Sequence, residues 1–206
     1  MVGYNAGVNT TAGYNVVIGS AAASDMTTGD YNTIVGTTAG ANITGSQQNV
    51  LLGAYSGRML QASKRLIAIG YEAGYMTPTG YQVAIGHSAL KNPTTATENV
   101  AVGNEALIGA ASSTSQYNTA LGNYTLSAVT DAAKNVAIGY KSGYAITTGD
   151  DNIIIGYEAG LASTTASSNI IVGTNALDSN NGNNNVIIGH SAAQGATTMD
   201  SSTIIG

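Results

Sequence analysis

A pentapeptide closed by glycine recurs along the whole chain. Asn15-Val16-Val17-Ile18-Gly19 returns as Asn32-Thr33-Ile34-Val35-Gly36, as Asn49-Val50-Leu51-Leu52-Gly53, and so on to Ser202-Thr203-Ile204-Ile205-Gly206. The closing glycines are Gly3, Gly19, Gly36, Gly53, Gly70, Gly86, Gly103, Gly122, Gly139, Gly156, Gly173, Gly189 and Gly206, spaced 16 to 19 residues apart, so twelve units fill the 206 residues. A unit this short cannot hold two helices of useful length, and one short apolar strand cannot bury itself, so the units must stack on one another. The pattern predicts an all-β fold, a parallel β-solenoid of about twelve coils, with residues 1–206 as one rod about 58 Å long at ~4.8 Å per coil.

Composition fits a thin coil. Only 8% of residues are charged, and Phe, Trp and Cys are absent, so the core must be built from small and aliphatic side chains. Six basic residues and a net charge of −5 argue against a phosphate-tracking surface, because nucleic-acid affinity draws on clustered Lys and Arg. No run approaches the ~20 apolar residues that span a bilayer, so no membrane insertion is expected. Met1-Val2-Gly3 occupies the last three positions of a unit and the chain stops on the equivalent Gly206, a phase that predicts further units or domains on both sides.

Within each strand, the position before glycine is always aliphatic, and the position two earlier is mostly β-branched, as in Val16 and Ile18 or Ile153 and Ile155. These two positions share a face and are expected to form the coil interior. The position between them is then expected to face outward: Val17, Ile34, Leu51, Ala68, Ala84, Ala101, Ala120, Ala137, Ile154, Ile171, Ile187 and Ile204. A strand apolar on both faces is normally covered on both. This middle column is therefore the expected contact between copies of the chain, since a continuous apolar stripe exceeds what a soluble monomer usually exposes.

Asparagine opens nine of the twelve pentapeptides, at Asn15, Asn32, Asn49, Asn99, Asn118, Asn135, Asn152, Asn169 and Asn185, with Leu66, Gln82 and Ser202 in the other three. Stacked amides can hydrogen-bond strand over strand, so this column is read as a structural ladder and not as a ligand site. The glycine reads as a corner that needs positive φ or close backbone approach. Three residues after it stands Ala, Ser or Thr, a tight inner corner, and the next position alternates between Gly or Ala and Leu, as in Gly74, Leu90, Leu107, Leu126 and Gly143. Turn-rich stretches such as Thr147-Thr148-Gly149-Asp150 belong on outer loops. The longest unit, between Gly103 and Gly122, is expected to bulge there by two residues.

Asn135-Val136-Ala137-Ile138-Gly139-Tyr140-Lys141-Ser142-Gly143 resembles two families, the head repeats of trimeric autotransporter adhesins and the glycine- and asparagine-rich repeats of bacteriophage tail fibres. The resemblance covers all twelve units. It implies a left-handed, homotrimeric β-roll located in a virion tail fibre or, alternatively, on a bacterial surface. Its partners would be two further copies of itself, flanking fibre domains and host cell-surface glycan. The period near 17 and the Thr-Thr-Gly loops depart from the adhesin pattern and favour a phage-fibre shaft over an adhesin head.

Catalysis, cofactor binding and metal binding find no strong support in the residues. Glu72, Glu105 and Glu158 share one position, and Glu72 and Glu105 lie two coils apart, roughly 9–10 Å, near the upper limit for an inverting glycosidase pair. No cleft-forming insertion surrounds them, so they read as solvated acids. His87 and His190 follow their glycines directly and read as surface histidines. Tyr4, Tyr71, Tyr140 and Tyr157 share that position and could stack on sugars or on the next coil. Asp150-Asp151 lacks the repeated acidic pattern of a calcium loop. Threonine pairs at Thr10-Thr11, Thr27-Thr28, Thr94-Thr95, Thr147-Thr148, Thr164-Thr165 and Thr197-Thr198 raise ice binding as an alternative, but Gln61-Ala62-Ser63 and Asp131-Ala132-Ala133 interrupt the array.

Overall fold

A computed structural model describes residues 1–11, 13–60, 65–76, 80–92, 95–109, 114–179 and 181–206. Among these, every regular element is a strand: β1 (Val16–Ile18), β2 (Thr33–Val35), β3 (Val50–Leu52), β4 (Leu66–Ile69), β5 (Gln82–Ile85), β6 (Val100–Val102), β7 (Thr119–Leu121), β8 (Val136–Ile138), β9 (Ile153–Ile155), β10 (Ile170–Val172), β11 (Val186–Ile188) and β12 (Thr203–Ile205). They pair in chain order as one twelve-stranded parallel sheet. The register is strict, so that Val17 lies over Ile34, Ile34 over Leu51 and Leu51 over Ala68. Each parallel crossover is one coil of about 17 residues, and the chain is a β-solenoid.

The rest of each coil is bonded to its neighbours as well. Ala23 N donates to Ala39 O at 2.9 Å and Gly40 N to Ser56 O at 2.9 Å, and the same link recurs coil after coil. These bonds hold side-chain-bearing residues in the left-handed region, among them Leu90, Leu107 and Leu126, each at φ 49. Such conformations cost ~1–3 kcal/mol each and persist only where the surroundings over-determine them. The closing glycines have φ between 128 and 145, a region essentially closed to other residues. At Gly139 a Cβ would also lie 2.4 Å from the carbonyl oxygen of Gly156 in the next coil. Conformation and close approach both require glycine there.

The structure reverses the two faces of the strand. Val17, Ile34, Leu51, Ala68, Ala84, Ala101, Ala120, Ala137, Ile154, Ile171 and Ile187 are fully buried inside the coil, and Ile204 packs partly buried against the same core. They are core residues and not the contact between copies. The outward face belongs to the flanking positions, where Val16 is 50% and Leu121 45% exposed. The reason is parity: in an extended strand residues two apart share a face, so the inward asparagine carries the middle residue inward with it.

The coil is narrow, and its core is balanced by volume. In most coils a large middle residue stands with a small fourth residue after glycine, as in Ile34 with Gly40 and Leu51 with Gly57, and Ala stands with Leu, as in Ala84 with Leu90, Ala101 with Leu107 and Ala120 with Leu126; Ala68 with Gly74, Ala137 with Gly143 and Ile171 with Leu177 depart from this pairing. A Cβ at Gly57 would lie 2.7 Å from Leu51 Cδ2, so the pairing is a matter of room. A third inner column, seven residues after glycine, holds buried Met26, Ile43, Leu60, Val129 and Ile146.

Candidate functional site

The strand positions that point outward make an aliphatic face that runs the length of the sheet. Val16, Ile18, Ile67, Val100, Leu121, Ile153, Ile170 and Ile188 are exposed on it, and Val35, Val50, Val136, Ile138 and Ile155 are half-buried between them. No described segment of the chain covers this face.

The buried side of the same strands carries the amide column. Asn152 N and Nδ2 both donate to Asn135 Oδ1 at 2.9 Å, while Asn135 Nδ2 donates to Asn118 Oδ1 at 3.1 Å and to the carbonyl of Gly149 at 2.8 Å. Each such side chain uses both donors and both acceptor sites, so a buried polar column carries no unmet demand. The same bonds join Asn15, Asn32 and Asn49, and join Asn99 through Asn118, Asn135, Asn152 and Asn169 to Asn185. At the break, Asn49 Oδ1 accepts the backbone N–H of Leu66, and Gln82 Nε2 reaches the carbonyl of Ala96.

Two columns of larger side chains border the outward face. Before the asparagine position stand exposed Tyr14 and Tyr31, stacked with ring centroids 5.1 Å apart, and then Arg65, Tyr81, Glu98, Tyr117, Lys134 and Asp151. The Arg65 guanidinium lies 4.8 Å from the Tyr81 ring centroid and donates to its hydroxyl, and Arg65 Nε donates to Gln48 Oε1 at 2.9 Å. A cavity of about 420 Å³ opens here, between Arg65, Tyr81 and Glu98 over Val83 and Val100. At the corner after the glycine, Tyr71 stacks on His87 at 5.4 Å and Tyr140 on Tyr157 at 5.3 Å. The Glu158 carboxylate beside Tyr157 holds its phenol above the usual range.

Several of the remaining candidates are engaged in the fold. Glu72 forms an ion pair with Lys91 at 2.6 Å. Asp150 Oδ1 accepts the backbone N–H of Ala133 at 2.6 Å, one coil away. Hydroxyls of Thr11, Thr27, Thr130 and Thr147 donate at 2.9–3.0 Å to carbonyls of the next coil. Among the described residues, no three His, Asp or Glu side chains converge as a metal site would require. Gln61, Ala62, Ser63, Thr94 and residues 110–113 of the longest unit lie outside the described residues. Sequence reasoning grouped the tyrosines and histidines after the glycine but missed the column before the asparagine, although its signal was present: Arg65 stands two residues before the outward Ile67 and so shares its face.

Comparison with family models, curated proteins and solved structures gave no match.

Proposed function

We propose that this chain forms part of the shaft of a homotrimeric bacteriophage tail fibre, a left-handed solenoid rod that supports host-surface attachment without being an enzyme. The observation that carries the reading is the unbroken aliphatic face along the sheet, which extends over twelve strands of an otherwise uniform rod. An apolar strip of that length calls for a cover, and a repetitive rod is covered most simply by identical rods. Three copies whose apolar faces meet about a common axis leave the loops outside, where flanking domains and surface glycans have access. The period near 17 and the Thr-Thr-Gly loops favour the phage-fibre setting over a bacterial adhesin head. Ice binding needs a flat array of free hydroxyls, whereas the threonine hydroxyls at positions 11, 27, 130 and 147 are directed to carbonyls of the adjacent coil.

Negative-stain electron microscopy of the purified chain tests the shape and assembly together. Straight rods about 58 Å long with a three-lobed cross-section are expected. Single thin rods would refute the trimer. Incubation with bacterial surface polysaccharides is expected to release no reducing ends; turnover lost on Glu72→Gln or Glu105→Gln would replace the shaft reading with an enzymatic one.

A further inference from the structure

The unit from Gly173 to Gly189 spans 16 residues, one fewer than the common 17, and contains the chain's single Asn-Gly sequence, Asn181-Gly182. The shortening follows Asn181, which stands four residues before Asn185 where Thr164 stands five before Asn169. In the preceding coils a backbone carbonyl serves three donors at this height. Thr147 N, Thr148 N and Thr147 Oγ1 all donate to Thr164 O, at 2.8, 3.4 and 3.0 Å. One coil on, the equivalent donors Thr164 N, Thr165 N and Thr164 Oγ1 all donate to a side-chain oxygen, Asn181 Oδ1, at 2.6, 3.2 and 3.1 Å. The side-chain amide stands in for a carbonyl of the stack.

This amide differs from those of the ladder in both its nitrogen and its neighbour. Among the described residues Asn181 Nδ2 donates to nothing, whereas Asn152 Nδ2 is held by Asn135 Oδ1 at 2.9 Å and by the Ala166 carbonyl at 2.7 Å. Each ladder asparagine is followed by β-branched Val, Thr or Ile, which crowds the backbone nitrogen next to it. Asn181 is followed by glycine, and the stack requires that glycine, because a Cβ at position 182 would collide with the carbonyl of Met199 in the next coil. The Gly182 nitrogen is therefore the least hindered nucleophile that can follow an asparagine. Its attack on Asn181 Cγ drives charge onto Oδ1, where three fixed donors already converge as in an oxyanion hole.

We infer that Asn181 is a self-deamidation site, built by Thr164 and Thr165 of one coil and Asn181-Gly182 of the next. The Gly182 amide gives its proton to solvent base as its nitrogen bonds to Asn181 Cγ. The Cγ–Nδ2 bond then breaks, and Nδ2 takes up a proton and leaves as ammonia. Water opens the resulting succinimide at Cγ, so aspartate replaces asparagine with no change of oxidation state. The product suits the stack, which already uses carboxylates to accept backbone N–H groups between coils: Asp150 Oδ1 from Ala133 and Asp200 Oδ1 from Asn183, both at 2.6 Å. A carboxylate at position 181 keeps its three donors and adds one negative charge to the chain's −5. The reaction needs a single chain and is independent of assembly.

Peptide mapping of the full chain held folded at mildly alkaline pH, beside the same chain unfolded in urea, tests the site. Asn181 is expected to convert before any other asparagine, and about tenfold or more faster in the folded chain than in the unfolded one. Thr164→Val removes the hydroxyl donor alone; it is expected to slow the folded reaction about threefold or more and to leave the unfolded rate unchanged. A folded rate equal to or below the unfolded rate would show that the stack protects Asn181, and would overturn the proposal. A folded Thr164→Val chain that deamidates as fast as the native one would overturn it as well. If that variant does not fold, the native comparison still decides.

Discussion

From Asn99 to Asn185 the amide column passes through six coils without interruption, whereas at Leu66 and Gln82 it lapses for two. In the unbroken run each strand has three paired residues; at the lapse β4 and β5 have four, because Leu66 pairs directly with Gln82. The two solutions occupy the same buried position. One satisfies the interior with an amide ladder, the other with the apolar Leu66, a longer amide at Gln82 that still reaches the Ala96 carbonyl, and an extra step of backbone pairing. The comparison teaches that the position must be internally consistent with its neighbours and need not be asparagine. A buried polar column is stable when complete and costly when one member is missing.

The largest effect is expected at a feature both regions share. Gly139→Ala forces a Cβ to 2.4 Å from the next coil's backbone at φ 128, and should cost at least ~4 kcal/mol in urea unfolding, while Gly13→Ala, with open space around it, should change stability by less than about 0.5 kcal/mol. Next comes a break in the complete run. Asn135→Ala leaves the Gly149 carbonyl and the backbone N–H of Asn152 without partners and should cost about 3 kcal/mol by the same measurement. If the run and the lapse are equivalent solutions, Leu66→Asn should be milder, about 1 kcal/mol, because a new amide can bond Asn49 Oδ1 while aliphatic burial is lost. A cost equal to that of Asn135→Ala would show that the lapse is as demanding as the run. The smallest effect is a gain. Among the described residues buried Ser163 has no partner for its hydroxyl, so Ser163→Ala should raise stability by about 0.5–1 kcal/mol.

The recurring glycine made the solenoid legible from sequence, because a fixed spacing near 17 admits few architectures. The amide ladder was legible for the same reason. The direction of the strand was not read correctly, although Asn15 and Val17 are two residues apart and must face the same way. Reading the asparagine column apart from the strand faces hid that parity, and the enrichment of aliphatics in three successive positions removed the usual contrast between faces. The inner column of Met26, Ile43, Leu60, Val129 and Ile146 was hidden among polar loop residues. Its regularity lies in distance from the glycine and not in residue identity. With the faces reversed, the apolar stripe that calls for a cover is Val16, Ile18 and their equivalents, and not Val17 and its own.

Sedimentation equilibrium of the native chain beside Ile153→Arg and Ile154→Arg tests this account most directly. The native chain is predicted to sediment at three times the 20.6 kDa of a single chain. Ile153→Arg, on the exposed face, should give a folded monomer, and Ile154→Arg, in the core, should unfold the coils around it. A native chain that remains monomeric, or a trimer that survives Ile153→Arg unchanged, would contradict it.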